Sequence, residues 1–265
     1  MGEISADTDL GRHIVDIVKD LNLRTNLDIG AWDGTGATEC FIEGMKDFPD
    51  KSLTCLEIEK KKYDALVKNV KKYPWVNCHN TSSIDCDKLV DFGFKRIWES
   101  PFNPLIRFAS SNQELTEQWY NEDVSLMKKF PSGFLEKDKT MYDAVLIDGS
   151  EFTGFFEFNL LKDRTNVFFL DDTFGAYKTC KAAAFLQEDL EWECIAYKKN
   201  VEEVDWGLGI SPEQVYEVGF LSACKTAYHL GNLTKATIVA IKDYDRSVRN
   251  GFAIFKRKIF LEHEK

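Results

Sequence analysis

The stretch Asn26-Leu-Asp-Ile-Gly-Ala-Trp-Asp-Gly-Thr-Gly-Ala-Thr38 constrains this chain more than any other. A short apolar run ends in a glycine loop flanked by acidic residues, and the loop leads directly into an amphipathic segment. Such a strand–loop–helix join is how an α/β domain builds a site for a nucleotide-like ligand. Gly30, Gly34 and Gly36 are expected to take positive φ and to let the backbone approach a ligand closely. The helix that follows is expected to aim its free N–H groups at a carboxylate or phosphate in the loop.

Apolar spacing extends this unit into a repeating pattern. Leu10, Ile14, Ile17, Val18 and Leu21 fall on one stripe and predict a helix over 8–21, capped by Asp7 or Thr8. Strands are expected at 26–30, 52–58 and 76–80. Ala37, Phe41, Ile42 and Met45 mark the first intervening helix, and Tyr63, Leu66, Val67 and Val70 mark a second over about 59–73. Residues 142–148 and 166–172 are near-continuous apolar runs ending in Asp-Gly and Asp-Asp. Apolar strands alternating with amphipathic helices describe a parallel sheet buried on both faces. Residues 235–242 and 251–258 read as an antiparallel pair at its end. The expected fold class is α/β: a Rossmann-like, doubly wound, mostly parallel sheet with a C-terminal antiparallel hairpin.

Two segments break the rhythm. Residues 85–141 are rich in aromatic side chains (Phe92, Phe94, Trp98, Phe102, Phe108, Trp119, Tyr120), and 199–234 carry a helix expected over 212–230. Both read as insertions on a single domain spanning 1–265, together forming a cap over the substrate. The aromatics of the first can stack on a sugar ring, but packing the insertion onto the core is the plainer reading.

Charge and cysteine content narrow the partners. The formal net charge of −10 argues against nucleic acid or an anionic membrane surface as the main partner. The lysine clusters at 60–62 and 71–72 sit among helix-spaced apolar residues and read as solvated helix faces. Seven cysteines without a C-x-x-C pair imply neither a disulfide framework nor a zinc site. With a polar, acidic N-terminus and no membrane-length apolar run, a reducing cytoplasmic location is expected. A homo-oligomer is compatible with all of this.

The first loop discriminates among cofactors. A dinucleotide fingerprint requires G-x-G-x-x-G, and Trp32 stands where the second glycine belongs. A phosphate-binding P-loop requires a lysine, and this loop carries Asp28 and Asp33 instead. Glu57 ends the second apolar run 21 residues beyond Gly36, the place from which an acidic side chain accepts both ribose hydroxyls. Ile58 can cover an adenine face, and Ser82 and Ser83 can bond its edge. These features suit S-adenosylmethionine (SAM), held by Asp28, Gly30, Ala31, Trp32, Asp33, Gly34, Glu57, Ile58, Ser82, Ser83 and Asp148. Some of these residues have plainer structural readings: a tight turn for the glycines, a helix cap for the serines, and a core position for Trp32.

Leu27-Asp-Ile-Gly-Ala-Trp-Asp-Gly-Thr-Gly36, Leu56-Glu57, Ile147-Asp-Gly-Ser-Glu-Phe-Thr-Gly154 and Leu170-Asp-Asp-Thr173, taken in order, resemble class I SAM-dependent methyltransferases. They are most similar to the O-methyltransferases of sugar, capsule or glycosylated natural-product pathways. The resemblance covers about 10–85, 142–195 and the closing hairpin, and it leaves out the insertion at 199–234. It implies methyl transfer to a hydroxyl of a sugar-containing small molecule. Asp148, Glu151 and Asp172 are the candidate catalytic residues. Adjacent strands lie ~4.8 Å apart, so Asp148, Asp171 and Asp172 can share Mg²⁺ or another divalent cation, as similar positions do in metal-dependent relatives. Both Asp171 and Asp172 can ligate only if the strand has already ended, because successive strand residues face opposite ways. Asp172 as a helix cap and Asp148 as a cofactor contact form the alternative. A nucleotide-sugar glycosyltransferase, or a SAM-binding module without catalysis, stays open as a rival.

Overall fold

The computed structural model describes residues 4–99, 113–173, 178–198 and 251–259. Its strands are β1 (Thr25–Ile29), β2 (Ser52–Leu56), β3 (Val76–His79), β4 (Tyr142–Ile147), β5 (Thr165–Asp171), β6 (Trp192–Lys198) and β7 (Phe252–Arg257). Its α-helices are α1 (Asp9–Asp20), α2 (Ala37–Met45), α3 (Lys60–Val70), α4 (Cys86–Phe92), α5 (Phe94–Trp98), α6 (Gln113–Lys129), α7 (Phe134–Lys137), α8 (Gly154–Leu161) and α9 (Cys180–Glu188).

Among the described residues all seven strands form one sheet in the order β3-β2-β1-β4-β5-β7-β6. The first five run parallel, and β7 lies antiparallel between β5 and β6. Every residue of β4 is buried, because helices cover both faces of the central strands. On one face α1, α2 and α3 pack Ile14, Phe41, Met45 and Leu66 against Leu53, Cys55, Leu146 and Phe169. On the other, α8 and α9 pack Phe158, Leu161 and Leu186 against Leu27, Ile29, Val145, Ile147 and Phe168. This is the expected Rossmann-like, doubly wound, mostly parallel sheet. The expected cap also forms: Thr8 accepts the Gly11 N–H at the start of α1 (3.3 Å), and Leu10, Ile14 and Val18 bury its apolar stripe.

The strand expected at 251–258 is β7, and it runs antiparallel to its neighbours as expected. The strand expected at 235–242 and the helix at 212–230 lie outside the described residues, as does the whole insertion at 199–234. Among the described residues β7 pairs with β5 and with β6, a strand that apolar periodicity missed. Among the described residues β6 is the sheet edge: Ile195 and Tyr197 are exposed, and a register shift between Cys194 and Ala196 breaks its alternation.

The described part of 85–141 is helical. Phe94, Ile97, Tyr120 and Met127 form a third apolar cluster with Ile84, Leu89 and Phe152, and Phe92, Trp98 and Trp119 pack against it. These aromatics therefore seat the insertion on the loop after β4. Phe102 and Phe108 lie outside the described residues.

Candidate active site

The winding of the sheet reverses between β1 and β4, with β2 and β3 on one side and β5 on the other. The loops after β1 and β4 diverge there and leave a crevice at the strand carboxyl ends. A cavity of about 510 Å³ fills it, lined by the loops after β1, β2, β3 and β4, by α6 and by Lys178.

Backbone bonds hold the first loop rigidly. Gly30 and Ala31 both donate their N–H to the Leu56 carbonyl (3.1 Å each), and Gly34 donates to the Ala31 carbonyl (2.9 Å). That last bond closes a tight turn whose first central residue is Trp32, and the positive φ values fall at Gly30 (+90°), Trp32 (+52°) and Gly34 (+81°). Gly36, expected to share this conformation, is instead the N-cap of α2 with φ −119°. A Cβ on Gly30 would overlap the Asp148 carbonyl, and one on Gly34 would lie 2.7 Å from Leu66 Cδ1. Packing onto the β4 end and onto α3 thus requires both glycines before any ligand is considered.

The other predicted loop residues separate. Trp32 is 45% exposed and walls the cavity, with the Lys62 ammonium 3.4 Å from its ring centroid. Ala31 is buried in the core. Asp33 lies outside the cavity lining, its carboxylate accepting the Thr35 N–H (3.0 Å) and hydroxyl (2.7 Å) in a local turn. Asp28 is fully buried beneath α2 and also outside the lining. One of its oxygens accepts the Thr38 hydroxyl (2.5 Å), and the other has no hydrogen-bond partner among the described residues. Burial pushes its pKa up to about 7; the Thr38 bond opposes the shift, while Asp148 and Glu57 add to it.

Glu57, Ile58, Ser82 and Ser83 all line the cavity, as predicted from their places at the ends of β2 and β3. Glu57 is 7% exposed and accepts the Glu59 N–H (2.7 Å). Burial raises its pKa against the pull of that N–H and of Lys62. Asn80 fixes the turn by donating to the carbonyls of Glu57 (2.9 Å) and Ile58 (2.8 Å). Ser83 donates to Glu157 Oε1 (2.5 Å), which also takes the Thr153 hydroxyl (2.7 Å).

The three aspartates predicted to share a divalent cation do converge, but on a side chain. Lys178 Nζ lies 2.5 Å from Asp148, 3.0 Å from Asp172 and 3.4 Å from Asp171. β5 ends at Asp171, and Asp172 takes φ +56°, so the strand has turned and both carboxylates reach the same point. Burial alone would lower the Lys178 pKa, but the three carboxylates outweigh it and hold the ammonium above the ordinary lysine range. Asp171 is pushed well up, by burial first and then by Asp172 and Asp148. The donors expected to take Mg²⁺ are committed to this ammonium, and among the described residues no group of three or more His, Cys, Asp or Glu is arranged to hold a metal. A divalent ion therefore does not fit the arrangement. Glu151 lines the same cavity and adds to the field on Lys178.

No protein-family model matches the chain, and no curated protein matches it in sequence. Solved structures do resemble it. An O-methyltransferase from Bacillus cereus in complex with S-adenosylhomocysteine (SAH) aligns over 94% of this chain and 80% of its own, at 11% identity and a TM-score of 0.48. An SAH-bound methyltransferase from Podospora anserina aligns over 94% and 77%, at 12% identity and a TM-score of 0.42. An O-methyltransferase of tomaymycin synthesis from Streptomyces achromogenes, in complex with SAM, aligns over 93% and 78%, at 12% identity and a TM-score of 0.41.

Sequence reasoning missed several polar residues of the cavity, among them Lys62, which it read as part of a solvated helix face, and Lys178, Glu157 and Asp123. Lys178 follows the Asp171-Asp172 pair by six residues and carried no motif. Glu157 was legible in principle, as a lone acid within the apolar run Gly154-Phe-Phe-Glu-Phe-Asn-Leu-Leu161. Asp123, which accepts the Ser150 hydroxyl, sits on α6 inside the insertion, where nothing in the sequence pointed to the cavity.

Proposed function

We propose that the cavity binds S-adenosylmethionine and that the chain transfers its methyl group to a hydroxyl of a sugar-containing small molecule. The observation that carries this reading is the charge of the lining. Glu57, Glu59, Asp123, Asp148, Glu151, Glu157 and Asp171 face two lysines, Lys62 and Lys178. Carboxylates already engage both lysines, Lys62 through Glu59 at 2.8 Å and Lys178 through its three aspartates. A diphosphate would meet this wall as like charge, whereas a ligand with a sulfonium and an amine meets opposite charge. Glu57 is placed to accept ribose hydroxyls, and Ile58, Leu126 and Met127 offer apolar surface for a base.

When bound, SAM supplies a methyl carbon on a positively charged sulfur, which an acceptor oxygen displaces in line as the sulfur leaves as a thioether. The chain orients the two reactants and receives the acceptor's proton. Asp148 is the most exposed of the carboxylates around Lys178 and is the proposed base, with Glu151 beside it in the lining. Hydroxyls from Ser150 and Thr153, beside Asp148 and Glu151 in the lining, suit a polyhydroxylated acceptor. We take 1–265 as one domain, with the two insertions capping the cleft. The cysteines among the described residues are free, in keeping with a reducing compartment such as the cytoplasm. Among the same residues no helix is long and apolar enough to cross a membrane.

Titration calorimetry tests the reading. SAM and SAH should bind one per chain with dissociation constants on the order of micromolar, and NAD or a UDP-sugar should give no heat. Binding of the UDP-sugar in place of SAH would overturn the assignment in favour of glycosyl transfer. Release of SAH in the presence of sugar-containing alcohols then separates an enzyme from a SAM-binding module.

A further inference from the structure

The position of Lys178 is built into the fold on several sides. Its side chain is 4% exposed, and its Nζ meets one oxygen from each of three carboxylates. An ammonium carries three N–H donors, one for each. The backbone around it is fixed as well. The Thr179 hydroxyl donates to the Asp171 carbonyl at the end of β5. The Lys178 carbonyl packs so closely on the start of α8 that a Cβ on Gly154 would overlap it. A glycine on one element and a hydroxyl on the next thus seat this lysine between β4 and β5.

We propose that the Lys178 ammonium takes the place of a divalent cation at the ends of β4 and β5, so that the site is organised without a metal. A small divalent ion would need oxygens at about 2.0–2.6 Å, in the volume that Nζ fills. The ammonium draws together the same carboxylates, from the same strand ends, and holds Asp148 at the cavity wall. The charge replacement stands on this geometry alone. Its consequence, that Lys178 positions Asp148 for an acceptor hydroxyl, rests on the cofactor reading above.

Mn²⁺ alone is the probe. The full chain, treated with EDTA and dialysed, is titrated with Mn²⁺ and followed by water-proton relaxation and by thermal melting. The wild type should take up no stoichiometric Mn²⁺ and should melt alike in EDTA and in Mn²⁺. Lys178→Gln leaves the carboxylates without their cation. Its melting temperature should fall by about 10 °C in EDTA, and it should then bind one Mn²⁺ and recover most of that loss. Rescue by a metal is a response that a merely structural ion pair would not give. Stoichiometric Mn²⁺ in the wild type, abolished by Asp172→Asn, would overturn the inference. So would a Lys178→Gln variant that melts like the wild type, or one that loses stability without recovering it in Mn²⁺. Should Lys178→Gln fail to fold, the wild-type titration decides alone: bound Mn²⁺ overturns the inference and its absence upholds it. SAH calorimetry on the wild type reports separately on the cofactor reading.

Discussion

Asp28 at the end of β1 and Asp172 just past the end of β5 are buried alike, at 0% and 1% exposure, yet their surroundings answer their charge in opposite ways. Asp172 meets an ammonium at 3.0 Å, in a cluster where Lys178 also serves Asp148 and Asp171. Asp28 is offered a hydroxyl, and its carboxyl is pushed up to about 7. Glu57, just past the end of the neighbouring strand β2, is also raised by burial and forms no ion pair among the described residues. The β4–β5 half of the cleft therefore carries a buried cation among its carboxylates, while on the β1–β2 side Asp28 is answered by a hydroxyl and the cavity-lining Glu57 feels the pull of Lys62 without an ion pair among the described residues. A positively charged ligand gains most on the β1–β2 side, and a reaction needing fixed, oriented carboxylates is better served on the β4–β5 side.

The two halves meet at Gly30, so the largest effect is expected there. Gly30→Ala places a Cβ against the Asp148 carbonyl at φ +90°, and we expect a loss of about 5 kcal/mol in urea unfolding. A mild phenotype would mean that the seam between the halves yields easily, and the contrast drawn above would lose its structural basis.

The next effect tests the β1–β2 side through pH. Asp28 keeps its proton in the fold up to about 7, whereas the unfolded chain releases it near 3.8. Between those values the folded state holds more protons than the unfolded one, so stability falls as pH rises through the window and levels off above it. The full shift corresponds to roughly 4 kcal/mol. Asp28→Asn should match the wild type near pH 4 and exceed it in stability at pH 8. Glu57 and Glu157 are raised in the same sense, so a shallower slope should survive in the variant. Equal pH profiles for the two proteins would show that the fold does not hold the Asp28 carboxyl protonated.

The cofactor assignment gives the contrast its functional content. Glu57→Gln should weaken SAH binding on the order of 10-fold to 100-fold with little change in stability. Asp171→Asn, on the side that holds Lys178, should leave SAH affinity within about 2-fold. Calorimetry on the two variants, run in parallel, reverses the assignment of the halves if the effects exchange places.

How much of this was legible follows from what each feature depends on. β1, β2, β4 and β5 were readable because central parallel strands are apolar on both faces, and the loop residues at their ends then fell into place. β6 was not, since an edge strand with exposed Ile195 and Tyr197 lacks that density. Glu57, Ile58, Ser82 and Ser83 were found because strand-end position alone brings them to the cleft. Lys178 was out of reach because its role depends on where a later turn returns to the sheet, and no local pattern encodes that return. The reading of Asp148, Asp171 and Asp172 as a cation site overlooked Lys178 for the same reason: the acids were visible in the sequence and the ammonium among them was not.

Asp33 offers the smallest and sharpest test of what the first loop is for. Its charge helped to suggest a cationic cofactor, yet its carboxylate is turned onto the Thr35 N–H and hydroxyl, at 3.0 and 2.7 Å. Those bonds hold its pKa below the usual carboxylate range against a desolvation that pushes the other way. Asp33→Ala should therefore cost about 1 kcal/mol of stability, the ordinary value of a local side-chain-to-backbone cap. SAH affinity should stay within about 2-fold, because the residue lies outside the cavity lining. Asp33→Asn keeps the acceptor oxygen and should recover most of the loss. If affinity fell with Asp33→Asn while stability held, the charge itself would be reaching the ligand, and the β1–β2 side of the cleft would extend one residue further along the loop.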